Sequence, residues 1–236
     1  LAQKLTAVAE WQGLPLRQQY LVFIQLQTKA EARPLSLDQQ RFILRAMAAV
    51  VSQTAWPQLN FKGFENALTD ALLEPLLKGA GQQLLQLNLN YCTQLTDKSL
   101  QVILASNPNM RQLSAQRINW TNLSLTALPH LEQLDLSGSG IQTLVGEAPS
   151  LRSLQLTSCQ QLRSLGNTGL LQNTAFSTPQ LTEIDMSNCR HLTQLCIPKE
   201  LFFTAIYLRR LKFRCGILAE NLLKKYAKTF LNGAPL

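Results

Sequence analysis

The chain has 236 residues and a formal net charge of +8, from 22 Lys and Arg against 14 Asp and Glu, yet only 15% of its residues are charged, against an average near 25%. Uncharged Gln, Asn, Ser and Thr must therefore supply much of the polar surface. No apolar run reaches the roughly 18 residues that a membrane span needs, and Leu1-Ala2-Gln3-Lys4 lacks the layout of a secretory signal.

Residues 1–55 read as helical, punctuated by Pro15 and Pro34. A first helix is expected from Leu16 to Lys29. Ser36 and, three residues on, Gln39 form a capping-box signal, in which each side chain satisfies the other residue's backbone N–H. Ile43, Met47, Val50 and Val51 then recur at helical spacing, which predicts a second helix from Leu37 to Thr54.

From Trp56 onward one phrase returns seven times: an apolar residue, two intervening ones, an apolar residue, one polar, one apolar. It reads Trp56-Leu59-Phe61, Leu84-Leu87-Leu89, Met110-Leu113-Ala115, Leu131-Leu134-Leu136, Leu151-Leu154-Leu156, Leu181-Ile184-Met186 and Leu208-Leu211-Phe213, at intervals of roughly 20 to 30 residues. Alternation inside the phrase is the period of a short strand with one buried face. The longer period means that one supersecondary unit is copied and stacked into a solenoid. A terminal unit must turn a polar face to water, so the helices of residues 1–55 are expected to cap the array.

Between the phrases the units differ. Leu68-Thr69-Asp70 with Leu72, Leu73, Leu76 and Leu77, and Leu95-Thr96-Asp97 with Leu100, Ile103 and Leu104, predict a helix in each of the first two units. Asp70 and Asp97 fall where a helix dipole favours negative charge. The third and fourth units are too short for a helix and should run extended or as a single turn. A polar, glycine-bearing stretch from Gly166 to Gln180 lengthens the fifth, and it is read as an outer variation in preference to a contact loop. Residues 217–231 carry Leu218, Leu222, Tyr226 and Phe230 on one stripe with Lys224, Lys225 and Lys228 off it, an amphipathic helix that closes the far end.

The phrase L-x-x-L-x-L-x-x-C resembles the leucine-rich repeat family from Trp56 to Gly216, and the first two units, with Leu68-Thr69-Asp70 and Leu95-Thr96-Asp97, resemble the cysteine-containing subtype found in eukaryotic F-box and related intracellular proteins. That resemblance implies an α/β fold, a right-handed leucine-rich repeat solenoid with a curved parallel sheet on its concave face and helical caps at both ends. The expected divisions are 1–55 for the first cap, 56–216 for the repeats and 217–236 for the second cap.

Five cysteines cannot all pair within one chain, and no C-x-x-C pair occurs. Cys92, Cys159 and Cys189 each stand eight residues after the first apolar position of their phrase, a place that points inward in leucine-rich repeats. They are read as space-filling reduced thiols that donate weakly to neighbouring carbonyls, which fits a reducing, intracellular compartment. No metal or cofactor is expected.

Side chains between the apolar positions face the other way and form columns. The first column is Gln58, Gln86, Gln112, Gln133, Ser153, Glu183 and Arg210; the second is Asn60, Asn88, Ser114, Asp135, Gln155, Asp185 and Lys212; the third is Lys62, Asn90, Gln116, Ser137, Thr157, Ser187 and Arg214. This surface is polar, acidic in its middle and basic at its end, and suits recognition of a protein of complementary polarity. Tyr91 and Arg117 occupy equivalent positions in adjacent units and could stack, with Trp120 in the adjoining loop, and such residues dominate interface hot spots. The expected partner-binding residues are Tyr91, Gln112, Gln116, Arg117, Trp120, Gln133, Asp135, Gln155, Glu183, Asp185, Arg210, Lys212 and Arg214.

The positive charge is local. Lys199, Arg209, Arg210, Lys212, Arg214, Lys224, Lys225 and Lys228 face only Glu200 and Glu220 in that stretch. A nucleic-acid groove needs positive charge along several units with interleaved aromatics, so neither nucleic acid nor an anionic membrane is the expected partner. Catalysis is not expected either: Asp135 and Asp185 lie two units apart in their column, and His130 and His191 fall in turns. The expected function is a non-catalytic protein-protein interaction module, monomeric alone. Its glutamine-rich, irregular units look similar to leucine-rich-repeat effectors that intracellular bacteria deliver into host cells, which implies a host protein or second effector as partner, inhibited by occlusion of its active site. An alternative is an F-box-like adaptor of a ubiquitin ligase, because Leu14-Pro15, Val22-Phe23 and Leu26 resemble the opening helix of that motif and Trp56 to Phe61 its first repeat.

Overall fold

The computed structural model describes residues 13–15, 18, 19, 21, 22, 25, 35–51, 56–166, 178–192, 194, 195, 211 and 212, the last four by backbone alone. Helix α1 (Leu37–Val51) starts at the capping box read from the sequence: Ser36 N–H donates to Gln39 Oε1 at 3.0 Å, and Gln39 N–H donates to Ser36 Oγ at 3.3 Å. Ile43, Met47, Val50 and Val51 are its buried stripe. The expected helix from Leu16 to Lys29 lies largely outside the described residues, although 18, 19, 21, 22 and 25 are helical. Gln19 Nε2 donates to the Leu14 carbonyl at 2.7 Å, as Gln40 Nε2 does to the Leu35 carbonyl at 3.0 Å. The same helix start is thus used twice, at Leu14-Pro15-Leu16-Arg17-Gln18-Gln19 and Leu35-Ser36-Leu37-Asp38-Gln39-Gln40, a short repeat that the sequence reading passed over.

The remainder alternates short strands with outer segments. The strands are β1 (Gln58–Asn60), β2 (Gln86–Asn88), β3 (Gln112–Ser114), β4 (Asn122–Ser124), β5 (Gln133–Asp135), β6 (Thr143–Val145), β7 (Ser153–Gln155), β8 (Ser164–Leu165), β9 (Glu183–Asp185), β10 (Gln194–Leu195) and β11 (Leu211–Lys212). Helix α2 (Asp70–Ala80) follows β1, and α3 (Asp97–Ser106) follows β2. One sheet has the order β1-β2-β3-β5-β7-β9-β11, all parallel, and it contains one strand from each phrase. Leu59, Leu87, Leu113, Leu134, Leu154 and Ile184 are partners in register and none exceeds 2% exposure. Burying a leucine side chain this completely is worth about 1.5–3 kcal/mol, which fixes the register, because a one-residue slip would turn the whole row outward.

The other sheet, in the order β10-β8-β6-β4 and also parallel, was not anticipated. Its extended segments were expected in the short third and fourth units, but their pairing was not. A unit too short for a helix leaves the outer backbone without internal hydrogen bonds, and pairing with the next unit's outer segment satisfies those groups. Leu123, Leu144 and Leu165 bury into the same core as the first sheet's leucines.

Consecutive units are tied by side chains. The Asp70 carboxylate accepts from Thr96 N–H at 3.0 Å and from the Thr96 hydroxyl at 2.6 Å, while Thr96 Oγ1 caps α3 by accepting from Lys98 N–H at 3.3 Å. Asp97 does the same to Thr121 one unit later, with Thr121 N–H at 2.9 Å. These acids sit at helix starts, as expected from the dipole, but their carboxylates hold the following unit. Buried Asn107 donates to the Leu77 carbonyl at 3.3 Å and the Gly81 carbonyl at 2.7 Å, completing the end of α2. Helix α2 packs between α1 and α3.

Cys92, Cys159 and Cys189 are free and fully buried. Cys159 Sγ donates to the Leu136 carbonyl at 3.1 Å and Cys189 Sγ to the Leu156 carbonyl at 3.0 Å. Cys196 and Cys215 lie outside the described residues. The Cys189 thiol, with Ser139 and the Gly138 backbone, draws the Cys159 pKa down against the opposing effect of burial. Burial, with a smaller push from the Glu65 charge, raises the Cys92 thiol from its usual 9.0 to about 12. In the window between those values only the unfolded chain gives up this proton. Stability that is intact below pH 9.0 is therefore lost as pH climbs toward 12, by about 1.4 kcal/mol per pH unit. Urea midpoints of wild type and Cys92→Ala between pH 8 and 11 should diverge in slope, with the wild type falling faster; parallel slopes would contradict the assignment.

Candidate functional site

The outward face of the seven-stranded sheet gathers the residues picked from the sequence. Register pairing sets Gln58, Gln86, Gln112, Gln133, Ser153 and Glu183 in one row and Asn60, Asn88, Ser114, Asp135, Gln155 and Asp185 in the next. Ten of these side chains, all from β1, β2, β3, β5 and β7, line a depression of about 400 Å³. Leu59, Leu87, Leu113 and Leu134 border it only along the strand backbone, because their side chains are buried in the core on the opposite face of the sheet.

The two rows differ in what they are free to do. In the second, Asn60, Asn88, Asp135 and Asp185 each accept, through Oδ1, from the backbone N–H two residues later, at Lys62 (3.0 Å), Asn90 (3.0 Å), Ser137 (3.0 Å) and Ser187 (2.8 Å). These are Asx turns that end the strands. Gln116 Nε2 also donates to Asp135 Oδ2 at 2.5 Å, and Gln116 N–H and the Ser114 hydroxyl both donate to Asn90 Oδ1 at 2.8 Å. Asp135, Asp185 and Gln116 therefore build the turns, a role that the sequence reading did not give them. Asp135 and Asp185 stand on either side of Gln155 in the register. In the first row the four glutamine amides, 58, 86, 112 and 133, make no hydrogen bond with any described residue. Each retains two donors and an acceptor for a visitor.

Above the row ends, the turn position four residues past the first-column glutamine's neighbour on each strand holds Gly63, Tyr91, Arg117, Gly138, Ser158 and Asn188, all with positive φ. Arg117 Cζ lies 5.6 Å from the Tyr91 ring centroid, so the expected stack is present, and Tyr91 is 49% exposed. A Cβ on Gly138 would come within 3.1 Å of Arg117 Cγ. The missing side chain there leaves room for the arginine stem, a support that sequence spacing could have revealed because Gly138 aligns with Tyr91 and Arg117.

Trp120 must be corrected. The sequence places it among the contact residues, but it is 0% exposed and its Nε1–H donates to Ser99 Oγ at 3.1 Å. It fills the junction where the outer layer changes from α3 to β4, and no partner can reach it there. Lys212 has its backbone beside Asp185 in the register, while Arg210 and Arg214 lie outside the described residues, as do most of the Gly166 to Gln180 stretch and the expected helix over 217–231. Exposed His130 and His191 sit in turns. Among the described residues no helix is long and apolar enough to cross a membrane. No family model matches the chain, and no curated protein matches its sequence.

Proposed function

We propose that this chain is a leucine-rich repeat solenoid that acts as a non-catalytic binding module, docking another protein on the outward face of its seven-stranded sheet. The observation that carries this reading is the row of four register-paired glutamines, 58, 86, 112 and 133, whose amides are engaged by no described residue and which line the depression. A protein surface can meet both the donors and the acceptors of such a row. Inhibition of the partner by covering its active site is the form of action that the effector-like composition favours.

The test substitutes two of these glutamines and leaves the turn-forming row alone. Gln112→Arg combined with Gln133→Arg places two charges in the middle of the face without removing a hydrogen bond, whereas Asp135→Lys would also release Ser137 N–H and Gln116. Mismatched charge at an interface can cost several kcal/mol, while surface substitutions usually change stability by about 0.5 kcal/mol or less. Proteins co-purifying with the wild-type chain from cell extract should drop at least about tenfold with the double variant, at an unchanged melting temperature. Undiminished recovery would move the contact surface elsewhere.

A further inference from the structure

The Tyr91 and Arg117 pair has properties that the glutamine row lacks. Both residues hold left-handed backbones, with φ 65 and 55, as do the equivalent turn residues Gly63, Gly138, Ser158 and Asn188, and they are the largest side chains at that position among the described residues. The Arg117 guanidinium and the Tyr91 hydroxyl make no hydrogen bond or ion pair with any described residue, and Asp135, the acid on the neighbouring strand, is engaged with Gln116 and Ser137. The guanidinium is held by the ring at 5.6 Å and the stem occupies the space above Gly138, so little side-chain entropy remains to be lost on binding.

We propose that this pair reads a carboxylate, so that the partner protein presents an Asp or Glu side chain to Arg117 with its methylene stem against Tyr91. A guanidinium fixed in this way offers two parallel N–H donors that match a carboxylate, and Tyr with Arg is the composition of an interface anchor. The charge count separates carboxylate from phosphate. Among the described residues the equivalent turn positions on the other units, Gly63, Gly138, Ser158 and Asn188, are all neutral, so at this turn position Arg117 is the one cation, suited to a monoanion. The inference rests on the sheet face being the docking surface, since the pair rises from the edge of that face.

The probe is a random dodecapeptide library panned against the intact chain. Selected peptides should carry a required Asp or Glu. Its replacement by the amide should weaken binding about tenfold, Arg117→Ala should do the same, and the two changes together should cost no more than either alone. Tyr91→Ala should weaken the same peptides several-fold, and melting should not change for either variant. Peptides that lose affinity with the Gln112→Arg, Gln133→Arg variant but bind Arg117→Ala normally would overturn this proposal and leave the sheet-face reading standing. Peptides indifferent to both variants would overturn both. Recovery of no peptide, independent losses in the double replacement, or tighter binding when phosphoserine replaces the acid would each overturn the carboxylate assignment.

Discussion

Trp120→Ala should destabilise the chain by about 3–5 kcal/mol, the range for removing a large aromatic from a packed core. The indole is among the largest fully buried side chains and sits between α3 and the start of the second sheet. Its loss leaves a cavity at the one place where the outer layer changes type, and neighbouring backbone is fixed on both sides by ladder and helix hydrogen bonds, so collapse is limited. The loss also strips the Ser99 hydroxyl of the Trp120 N–H, although Ser99 Oγ keeps its bond to the Thr96 carbonyl at 2.7 Å. Trp120→Phe keeps most of the volume and should cost less than half as much. Chemical denaturation of both variants separates the volume effect from the hydrogen bond; a loss under 1 kcal/mol for the alanine would refute the packing described for this junction.

Gly146→Ala should cost about 3 kcal/mol, a large effect for one methyl group. Its φ of 94 is a region that L side chains rarely adopt, and the added Cβ would lie 2.5 Å from Thr126 Oγ1, 3.1 Å from Thr126 N and 3.3 Å from Leu125 N. The hydroxyl can swing away, but the two backbone nitrogens belong to the short turn between β4 and β5 and cannot. Backbone strain and overpacking each contribute on the order of 1–2 kcal/mol. Gly81→Ala is the control: its φ is also positive, at 52, with nothing within 4 Å of the new Cβ, so it should show only the backbone part. Equal losses at the two glycines would mean that the close approach of neighbouring units at residue 146 is not real.

How far the sequence foretold these features depended on whether the signal was periodic. The seven-stranded sheet was legible because each phrase repeats its apolar positions, and α1 because the Ser36 and Gln39 side chains announce their reciprocal bonds. The second sheet was not legible: Asn122-Leu123-Ser124 has a single apolar residue, so no alternation can be seen and the pairing is decided by neighbours in space. Alternation tells which way Asp135 points but not that its carboxylate folds back on Ser137, which made a turn residue look like a free contact. Trp120 was misplaced for a related reason, since an aromatic in a polar loop gives no sign that Ser99, in the first turn of α3, receives its indole N–H. Tyr91 and Arg117 were paired correctly because their relation is positional.

The change of outer layer at Trp120 has a mechanical consequence. Packed helices sit about 8–10 Å apart, whereas paired strands step by about 4.8 Å. Behind β1 and β2 the outer layer consists of α2 and α3, each following its strand, so the spacing at the back of those units is nearly twice the step at the front. Behind β3, β5, β7 and β9 the back is the ladder of β4, β6, β8 and β10, with the same step as the front. Under the docking proposal above, a partner would span a helix-backed stretch at Gln58 and Gln86 and a strand-backed stretch from Gln112 to Glu183, two backings with different steps.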